Sequence, residues 1–173
     1  MAQLDLFPTS VRAPHGFIYQ PDFLTEEEEV ELLQYLHGLK LKNYEHGEYT
    51  AKRKVRWFTE RALPTPLKIL RDAVTDWAGI APEKIDNALV SKYEAGTPIG
   101  WHRDRPPYST VFGVSLGGTC NFRLRKREGK GWKRFTQIAA PRSIYMMSGS
   151  ARSLWQHSIP PVEEKRYSIT FRF

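Results

Sequence analysis

Three residues in the second half of the chain have the types and spacing of a metal site. His102 and Asp104 stand two positions apart, and on an extended strand residues i and i+2 point to the same side. A third histidine, His157, lies in a later β-rich segment. Two imidazoles and one carboxylate form the facial triad that holds non-haem iron(II) and leaves coordination positions open. The spacing therefore indicates an iron site, although an H-x-D triplet alone arises often by chance.

The last segment of the chain indicates a buried site for an anion. From Arg166 to Arg172 polar and apolar residues alternate strictly, which places Arg166, Ser168 and Arg172 on one face of a strand. Arginines that face the interior of a small β-core need an anionic partner, because an unpaired buried charge is costly. A carboxylate bound by both arms of a guanidinium is the natural candidate.

The elements that must position these residues change character along the chain. Two helices are predicted first, one from the capping box of Thr25 and Glu28 to Gly38 and one beginning near Pro66. Short β-rich runs separated by Gly and Pro turns follow, at Ala88–Tyr93, Thr110–Leu116, Asn121–Leu124, Arg134–Ile138, Ser143–Met147 and Arg166–Phe173. We therefore predict one α+β domain with a mainly β core, a sandwich or jelly roll with N-terminal helices packed on it.

Composition limits the class of protein. The chain has 173 residues, of which 40% are hydrophobic, enough for one domain. No apolar run approaches the roughly 18 to 20 residues of a membrane span, and we expect neither a membrane partner nor a secretory signal. The single cysteine, Cys120, excludes an internal disulfide. We therefore expect a cytoplasmic setting.

Basic residues are in excess and are clustered. Lysine and arginine number 26 against 19 acids, for a net charge of +7. The segments RLRKREGKGWKR, from residue 123 to 134, and KRKVRWF, from residue 52 to 58, suit phosphates and unstacked bases better than a merely solvated surface. The pattern predicts a nucleic-acid partner. Candidate stacking residues are Tyr44, Tyr49, Trp57 and Phe58, and candidate phosphate contacts are Arg134 and the arginines from Arg123 to Arg127.

Taken in order, these motifs resemble the AlkB family of iron(II)- and 2-oxoglutarate-dependent oxygenases. The matching features cover about the last half of the chain: Y-E-A-G at 93–96, H-x-D at 102–104, I-Y-M-M-S-G at 144–149, His157, and two arginines at 166 and 172. The resemblance implies a double-stranded β-helix. Residues 14–87 would form a helical and nucleotide-binding-loop part, and residues 88–173 the catalytic β core of the same single domain.

The resemblance also implies roles for individual residues. Iron(II) would be held by His102, Asp104 and His157. Arg166 would pair with the distal carboxylate of 2-oxoglutarate, and Tyr93 would form a hydrogen bond with the same cosubstrate. Arg172 matches a second arginine of the family that lies on the inward face near the cosubstrate.

Three departures from the family pattern concern the cosubstrate and the substrate. Ser91 and Ser168 stand where the family has asparagines, and a serine reaches less far, so cosubstrate binding could be weaker or rearranged. The segment from Asp104 to Pro107 lacks the further acid that many repair enzymes of the family carry after the H-x-D. That absence leaves the identity of the substrate open.

The reaction that the resemblance implies is oxidative dealkylation of N-alkylated bases in DNA or RNA. It would consume O2 and release succinate, CO2 and an aldehyde, with the base single-stranded or flipped out and bound near Trp57, Phe58 and Arg134. Three alternatives stay open. First, the same oxygenase could hydroxylate a tRNA modification or a protein. Second, the chain could be a cupin-type metal protein, although this would not explain the arginines. Third, it could be a non-enzymatic nucleic-acid-binding module, although this would not explain a complete triad. The sequence does not predict the oligomeric state.

Overall fold

Two antiparallel sheets share a core, and helices cover the outer side of the larger sheet. A computed structural model describes residues 12–46, 49–104 and 107–173, without the side chains of residues 46, 49 and 50. The side chain of Tyr49, a predicted stacking residue, is therefore not described, and residues 105 and 106 of the segment after the H-x-D lie outside the described residues. No described helix is long and apolar enough to cross a membrane.

Seven strands form the larger sheet, in the order β1-β9-β6-β11-β4-β3-β2. In chain order they are β1 Phe17–Gln20, β2 Lys42–His46, β3 Tyr49–Thr59, β4 Asn87–Tyr93, β6 Val111–Gly117, β9 Ile144–Met147 and β11 Arg166–Arg172. The smaller sheet has the order β5-β10-β7-β8. Its strands are β5 Ile99–His102, β7 Cys120–Glu128, β8 Gly131–Ala139 and β10 Gln156–Ile159. The predicted α+β class with a mainly β jelly-roll core is confirmed.

Three α-helices are described: α1 Glu26–His37, α2 Thr65–Ala78 and the short α3 Gly149–Ser153. The predicted capping box of α1 is present, because the Thr25 hydroxyl accepts from the Glu28 amide and the Glu28 carboxylate accepts from the Thr25 amide. Helix α2 has a proline in its first turn and ends at Gly79, whose positive φ of 66° terminates the helix in a left-handed conformation.

Strand β11 separates two hydrophobic cores. Its Ile169 and Phe171 side chains pack with α1 and α2 on the helical side of the larger sheet. Ser168, Thr170 and Arg172 point to the other side, toward the smaller sheet. The alternation that the sequence predicted therefore decides which residues of β11 reach the space between the sheets.

The N-terminal part contributes more β-structure than we predicted. The basic-aromatic segment from Lys52 to Phe58, expected as a nucleotide-binding loop, lies within β3 and pairs with β4. Strand β1 pairs with β9 at the opposite edge of the same sheet. Lysines and arginines on both faces of β3 hide its period of two from a reading based on apolar alternation.

Candidate metal and cosubstrate site

The three residues of the predicted triad lie together between the sheets. Antiparallel pairing of β5 and β10 puts His102 directly opposite His157, and Asp104 follows two residues after His102. The Nε2 atoms of His102 and His157 each lie 3.7 Å from Oδ1 of Asp104. The potential ligand atoms all fall within 4.8 Å of one another. The group therefore fits one small metal ion with two imidazoles and one carboxylate.

A backbone contact orients the first histidine. Nδ1 of His102 lies 2.8 Å from the carbonyl oxygen of Gly100. Because a carbonyl only accepts, Nδ1 carries the proton and donates it, which leaves the Nε2 lone pair directed toward Asp104 and free for a metal. The ring of His157 stacks on Phe122 at a centroid distance of 5.4 Å. Both rings are thus held before any ion binds.

The pKa shifts of Asp104 and His157 favour the protonation states that bind a metal. Burial opposes ionisation of Asp104, but His157, Arg172 and His102 outweigh it and lower the pKa of the carboxyl group. Nε of Arg172 lies 3.6 Å from Oδ2 of Asp104. Burial and then the neighbouring His102 lower the pKa of His157 to about 3. An ionised carboxylate beside a neutral imidazole is the state in which both groups coordinate a metal.

Arg166 is a buried cation with free donors. Its residue is 1% exposed, and Nη2 donates to the Ser115 hydroxyl at 2.9 Å. Within the described residues Nε and Nη1 have no hydrogen-bond partner. The guanidinium carbon lies 4.8 Å from the ring centre of Tyr93. Buried donors without acceptors are costly, so this guanidinium fits a small molecule that brings a carboxylate.

A pocket connects the triad with the residues predicted to hold the cosubstrate. Tyr93 and Arg166 are direct cross-strand partners on β4 and β11, and Ser91 and Ser168 are partners in the same register. The predicted residues that line the pocket are His102, Asp104, His157, Ser91, Tyr93, Ser168 and Arg172. The structure therefore brings the triad together with Ser91, Tyr93, Ser168 and Arg172. Arg166 does not line this pocket but contacts Tyr93, and the roles of all these residues stay a prediction.

Among the pocket residues that the sequence analysis missed are two with polar groups, Tyr145 and Arg53. Tyr145 lines the pocket from β9, and burial raises the pKa of its phenol. Its ring occupies the space where Gly113, its partner on β6, would carry a side chain. Arg53 lines the pocket from β3, has a buried Nε without a partner among the described residues, and lies 4.2 Å from the Tyr44 ring. Gly113 inside an apolar strand was the available signal for Tyr145.

The predicted substrate residues separate into three locations. Trp57 is 51% exposed, and its ring centre lies 5.1 Å from the guanidinium carbon of Arg172 at the pocket. Phe58 is 7% exposed and belongs to the core on the helical side of the larger sheet. Arg134 is exposed on β8, opposite Arg125, and does not line the pocket. The stacking role predicted for Phe58 is therefore wrong, because consecutive strand residues face opposite sides, and Arg134 is not a pocket contact.

Comparisons with known proteins agree with this arrangement. A model of the 2OG-Fe(II) oxygenase superfamily matches residues 18–172. An uncharacterized protein of Acanthamoeba polyphaga mimivirus, L905, is 28% identical over 91% of this chain and 84% of its own length. The Alkylated DNA repair protein ALKBH8 homolog of Arabidopsis thaliana is 26% identical over 84% of this chain. The Probable RNA/DNA demethylase ALKBH6 of Danio rerio is 30% identical over 61% of it. The matches span 51% and 48% of those two relatives.

Solved structures share the fold. OsALKBH1 superposes with a TM-score of 0.69 and 16% identity, covering 91% of this chain and 98% of that one. A prolyl hydroxylase from Trichoplax adhaerens, in complex with a peptide fragment, gives a TM-score of 0.68 and 18% identity, covering 91% and 83%. At these identities the likeness shows the architecture and leaves the substrate open.

Proposed function

Because the chain belongs to the 2OG-Fe(II) oxygenase superfamily, we propose that it oxidatively removes alkyl groups from base nitrogens in DNA or RNA. Iron(II), 2-oxoglutarate and dioxygen are the cofactors; bound iron couples decarboxylation of 2-oxoglutarate to oxidation of a substrate C–H bond. The observation that carries the proposal is a His-Asp-His triad in the same pocket as Tyr93, whose ring contacts a buried arginine, Arg166, that has donors without a partner among the described residues. The similarity to AlkB-type relatives supports the base as substrate.

At the metal, the chain supplies ligands that are already in their coordinating state. We propose that Nε2 of His102, Nε2 of His157 and the Asp104 carboxylate hold the ion. Arg172, whose Nε is 3.6 Å from the carboxylate, positions Asp104 and helps to keep it ionised. Phe122 and the β5–β10 pairing hold the rings. Three protein ligands leave positions for the cosubstrate and dioxygen.

At the cosubstrate, we propose that Arg166 binds the distal carboxylate of 2-oxoglutarate. Nε and Nη1 have no partner among the described residues, and Nη2 uses only one of its two N–H groups for Ser115. One edge of the guanidinium fork, Nη2 with either Nε or Nη1, therefore keeps two parallel donors. That edge matches a carboxylate with two parallel hydrogen bonds. Tyr93 packs against the same guanidinium, and its phenol is the proposed second donor. Ser91 and Ser168, in register on the same face, line the remaining wall.

At the substrate, we propose that an unstacked base enters beside Trp57. Half of Trp57 is exposed, and its ring lies at Arg172. Arg53, two residues before Val55 on β3, lines the same pocket, and its guanidinium packs against the Tyr44 ring. An aromatic surface and a cation at a pocket suit a flipped or single-stranded base. Once the N-alkyl carbon carries a hydroxyl group, its C–N bond breaks and releases an aldehyde.

The proposal is tested with the purified chain, iron(II), ascorbate and 2-oxoglutarate. We expect succinate in every such reaction, and more succinate together with formaldehyde when an N-methylated single-stranded oligonucleotide is added. The unmethylated oligonucleotide of the same sequence and the His102→Ala variant are the matched controls, and neither should release formaldehyde. Stimulation by unmethylated tRNA or by a peptide, with no formaldehyde from methylated bases, would overturn dealkylation in favour of hydroxylation.

We also propose a cytoplasmic setting.

A further inference from the structure

The outer face of the smaller sheet carries five planar groups in one row. The guanidinium carbons of Arg123 and Arg125 lie 5.1 and 4.3 Å from the ring centre of Trp101. Those of Arg125 and Arg127 lie 4.1 and 5.2 Å from the ring centre of Trp132. The order along the row is therefore Arg123, Trp101, Arg125, Trp132, Arg127. We call this row the Arg–Trp ladder.

Strand alternation builds the ladder on the side away from the pocket. On β7, Phe122 and Leu124 point into the core between the sheets, so the three arginines at 123, 125 and 127 point outward. Trp132 is the cross-strand partner of Arg127 on β8. Trp101 lies on β5, and its ring reaches across β10 to the arginines of β7. The ladder thus joins all four strands of the sheet.

Side-chain contacts hold the arginines but leave their outer edges free. Nε of Arg123 donates to the Ser158 hydroxyl at 3.1 Å, and Nε of Arg125 donates to the Gln156 amide oxygen at 2.8 Å. No carboxylate of the described residues forms an ion pair with Arg123, Arg125 or Arg127. Stacking uses the flat face of a guanidinium, so its terminal N–H groups remain available to an anion.

The arrangement concentrates like charge. Arg134 on β8 stands directly opposite Arg125 on β7, and like charges in such cross-strand pairs are destabilising. With the three arginines of the ladder, Arg134 brings the outer face to four cations that no acid among the described residues neutralises. Guanidiniums fixed in this way lose little side-chain freedom when they bind phosphate.

We propose that the Arg–Trp ladder binds the backbone of a single-stranded nucleic acid and holds it beside the pocket. Alternate residues of a β-strand are about 6.6 Å apart, roughly twice the 3.4 Å rise per nucleotide in a stacked duplex. Nucleotides of an unstacked, extended chain are spaced more widely than in a duplex. The arginines of β7 therefore fit successive phosphates of an extended single-stranded nucleic acid. The exposed parts of Trp101 and Trp132 offer aromatic surface to unpaired bases.

The position of the ladder relates it to the chemistry. Trp101 and His102 are neighbours on β5, with Trp101 in the ladder and His102 in the triad. Strand β5 is the edge of the smaller sheet, so a polymer that leaves the ladder over this edge passes the metal site. The link to substrate delivery rests on the proposed function, but binding to the ladder does not require turnover.

The test is the affinity of the metal-free chain for labelled oligothymidylate and oligouridylate, measured by fluorescence anisotropy over a range of salt concentrations. The ladder variant is Arg123→Gln/Arg125→Gln/Arg127→Gln. The matched control is Arg61→Gln/Lys68→Gln/Lys84→Gln, which removes the same charge from exposed positions of the helical part. We expect at least about tenfold weaker binding by the ladder variant, with the log–log salt slope reduced by about 2. The control should stay within about twofold of the unaltered chain.

Second variants protect the test against misfolding. If thermal unfolding shows that the triple ladder variant is not folded, Arg127→Gln is compared with Arg61→Gln, and Trp132→Leu with the unaltered chain. We expect Arg127→Gln to weaken binding more than Arg61→Gln, and Trp132→Leu to weaken it about fivefold or more. Equal affinity for oligothymidylate and oligouridylate supports contacts to the phosphates that both share. A preference for one of them identifies DNA or RNA as the better ligand of the ladder.

Four results would overturn the inference: equal losses in the ladder and control variants, no loss in either, duplex bound as tightly as single strand of equal length, or no salt dependence. Formaldehyde release is assayed separately on a methylated trinucleotide. If the ladder variant loses oligonucleotide binding and the unaltered chain releases no formaldehyde, the inference stands and dealkylation is overturned. Formaldehyde release with unchanged binding by the ladder variant overturns the inference alone.

Discussion

The two faces of the smaller sheet use charged groups in opposite ways. On the inner face, Asp104 lies against two imidazoles and a guanidinium, each within 3.7 Å. On the outer face, Arg125 lies between two tryptophan rings and faces another arginine across the strand pair. The charge of Asp104 is compensated by its neighbours, whereas the outer arginines are held by stacking and by hydrogen bonds to neutral side chains.

This difference shows what each face is suited to hold. Inside a protein an uncompensated charge is costly, so the free donors of Arg166 and the paired carboxylate of Asp104 specify small ligands of defined charge. At the surface, water screens the arginines, and their spacing along β7 suits a repeating anion. If the two faces act separately, changes in the interior should alter metal binding, cosubstrate binding or stability and leave oligonucleotide binding intact.

The largest effect is expected from Asp104, the proposed metal ligand that lies against both histidines and Arg172. Asp104→Ala should reduce succinate formation from 2-oxoglutarate at least about a hundredfold, since even residues behind metal ligands change activity by 10–100-fold. Asp76→Ala, an exposed acid on α2, is the control for a lost carboxylate. Oligonucleotide binding by the metal-free Asp104→Ala chain should remain; its loss would show that the faces are not independent.

Replacement of the buried guanidinium is expected to have the next largest effect. Arg166→Met should raise the KM for 2-oxoglutarate by about 10–100-fold, because a hydrogen bond to a charged group contributes about 1.5–3 kcal/mol. Arg166→Lys keeps the charge but loses the two-donor edge, so its KM for 2-oxoglutarate should lie between those of the unaltered chain and Arg166→Met. The metal-free Arg166→Met chain should unfold at the same or a higher temperature, because unsatisfied buried donors are removed. An unchanged KM with a lower unfolding temperature would assign Arg166 a purely structural role.

A smaller effect is expected where strands β6 and β9 of the larger sheet pack tightly at the pocket. A methyl group at Gly113 would lie 2.2 Å from the Tyr145 ring, so Gly113→Ala should lower the free energy of unfolding by about 1–3 kcal/mol. Gly100 has open space at the same position, and Gly100→Ala should change stability little. Chemical denaturation of both variants measures the difference. Equal stability of the two variants would mean that Tyr145 is not held against β6.

The smallest effect, counted per pH unit, is a gradual pH dependence of the stability of the metal-free chain. Burial lowers the pKa of His157 to about 3, well below its value of about 6.5 in an unfolded chain. The unfolded state therefore binds the proton first, and stability should fall as the pH drops from about 6.5 toward 3. The slope should approach at most about 1.4 kcal/mol per pH unit. His157→Gln should flatten this part of the curve, while an unaltered slope would mean that other groups produce it.

Local patterns predicted those parts of the fold that depend on neighbours in sequence. The capping box of Thr25 and the alternation of β11 are properties of single segments, and both are present. Strand β3 was missed because charged and aromatic residues occupy both of its faces, which led to the wrong role for Phe58.

Features that depend on strand register could not be predicted in the same way. The H-x-D spacing placed two residues of the triad, but the direct opposition of His102 and His157 follows from the pairing of β5 with β10. Contact between Trp101 and the arginines of β7 depends on β10 lying between their strands. Likewise, the space for Tyr145 exists only because Gly113 is its partner across β6 and β9. Such long-range pairings leave no local pattern.

We propose that the triad binds iron(II) and that Arg166, which contacts the pocket residue Tyr93, binds 2-oxoglutarate beside it. Anaerobic titration calorimetry measures both events, with iron(II) added first and 2-oxoglutarate second. We predict one iron and one 2-oxoglutarate per chain, loss of iron binding in Asp104→Ala, and weak 2-oxoglutarate binding with intact iron binding in Arg166→Met. Undiminished iron binding by Asp104→Ala, or unchanged 2-oxoglutarate affinity in Arg166→Met, would contradict the claim.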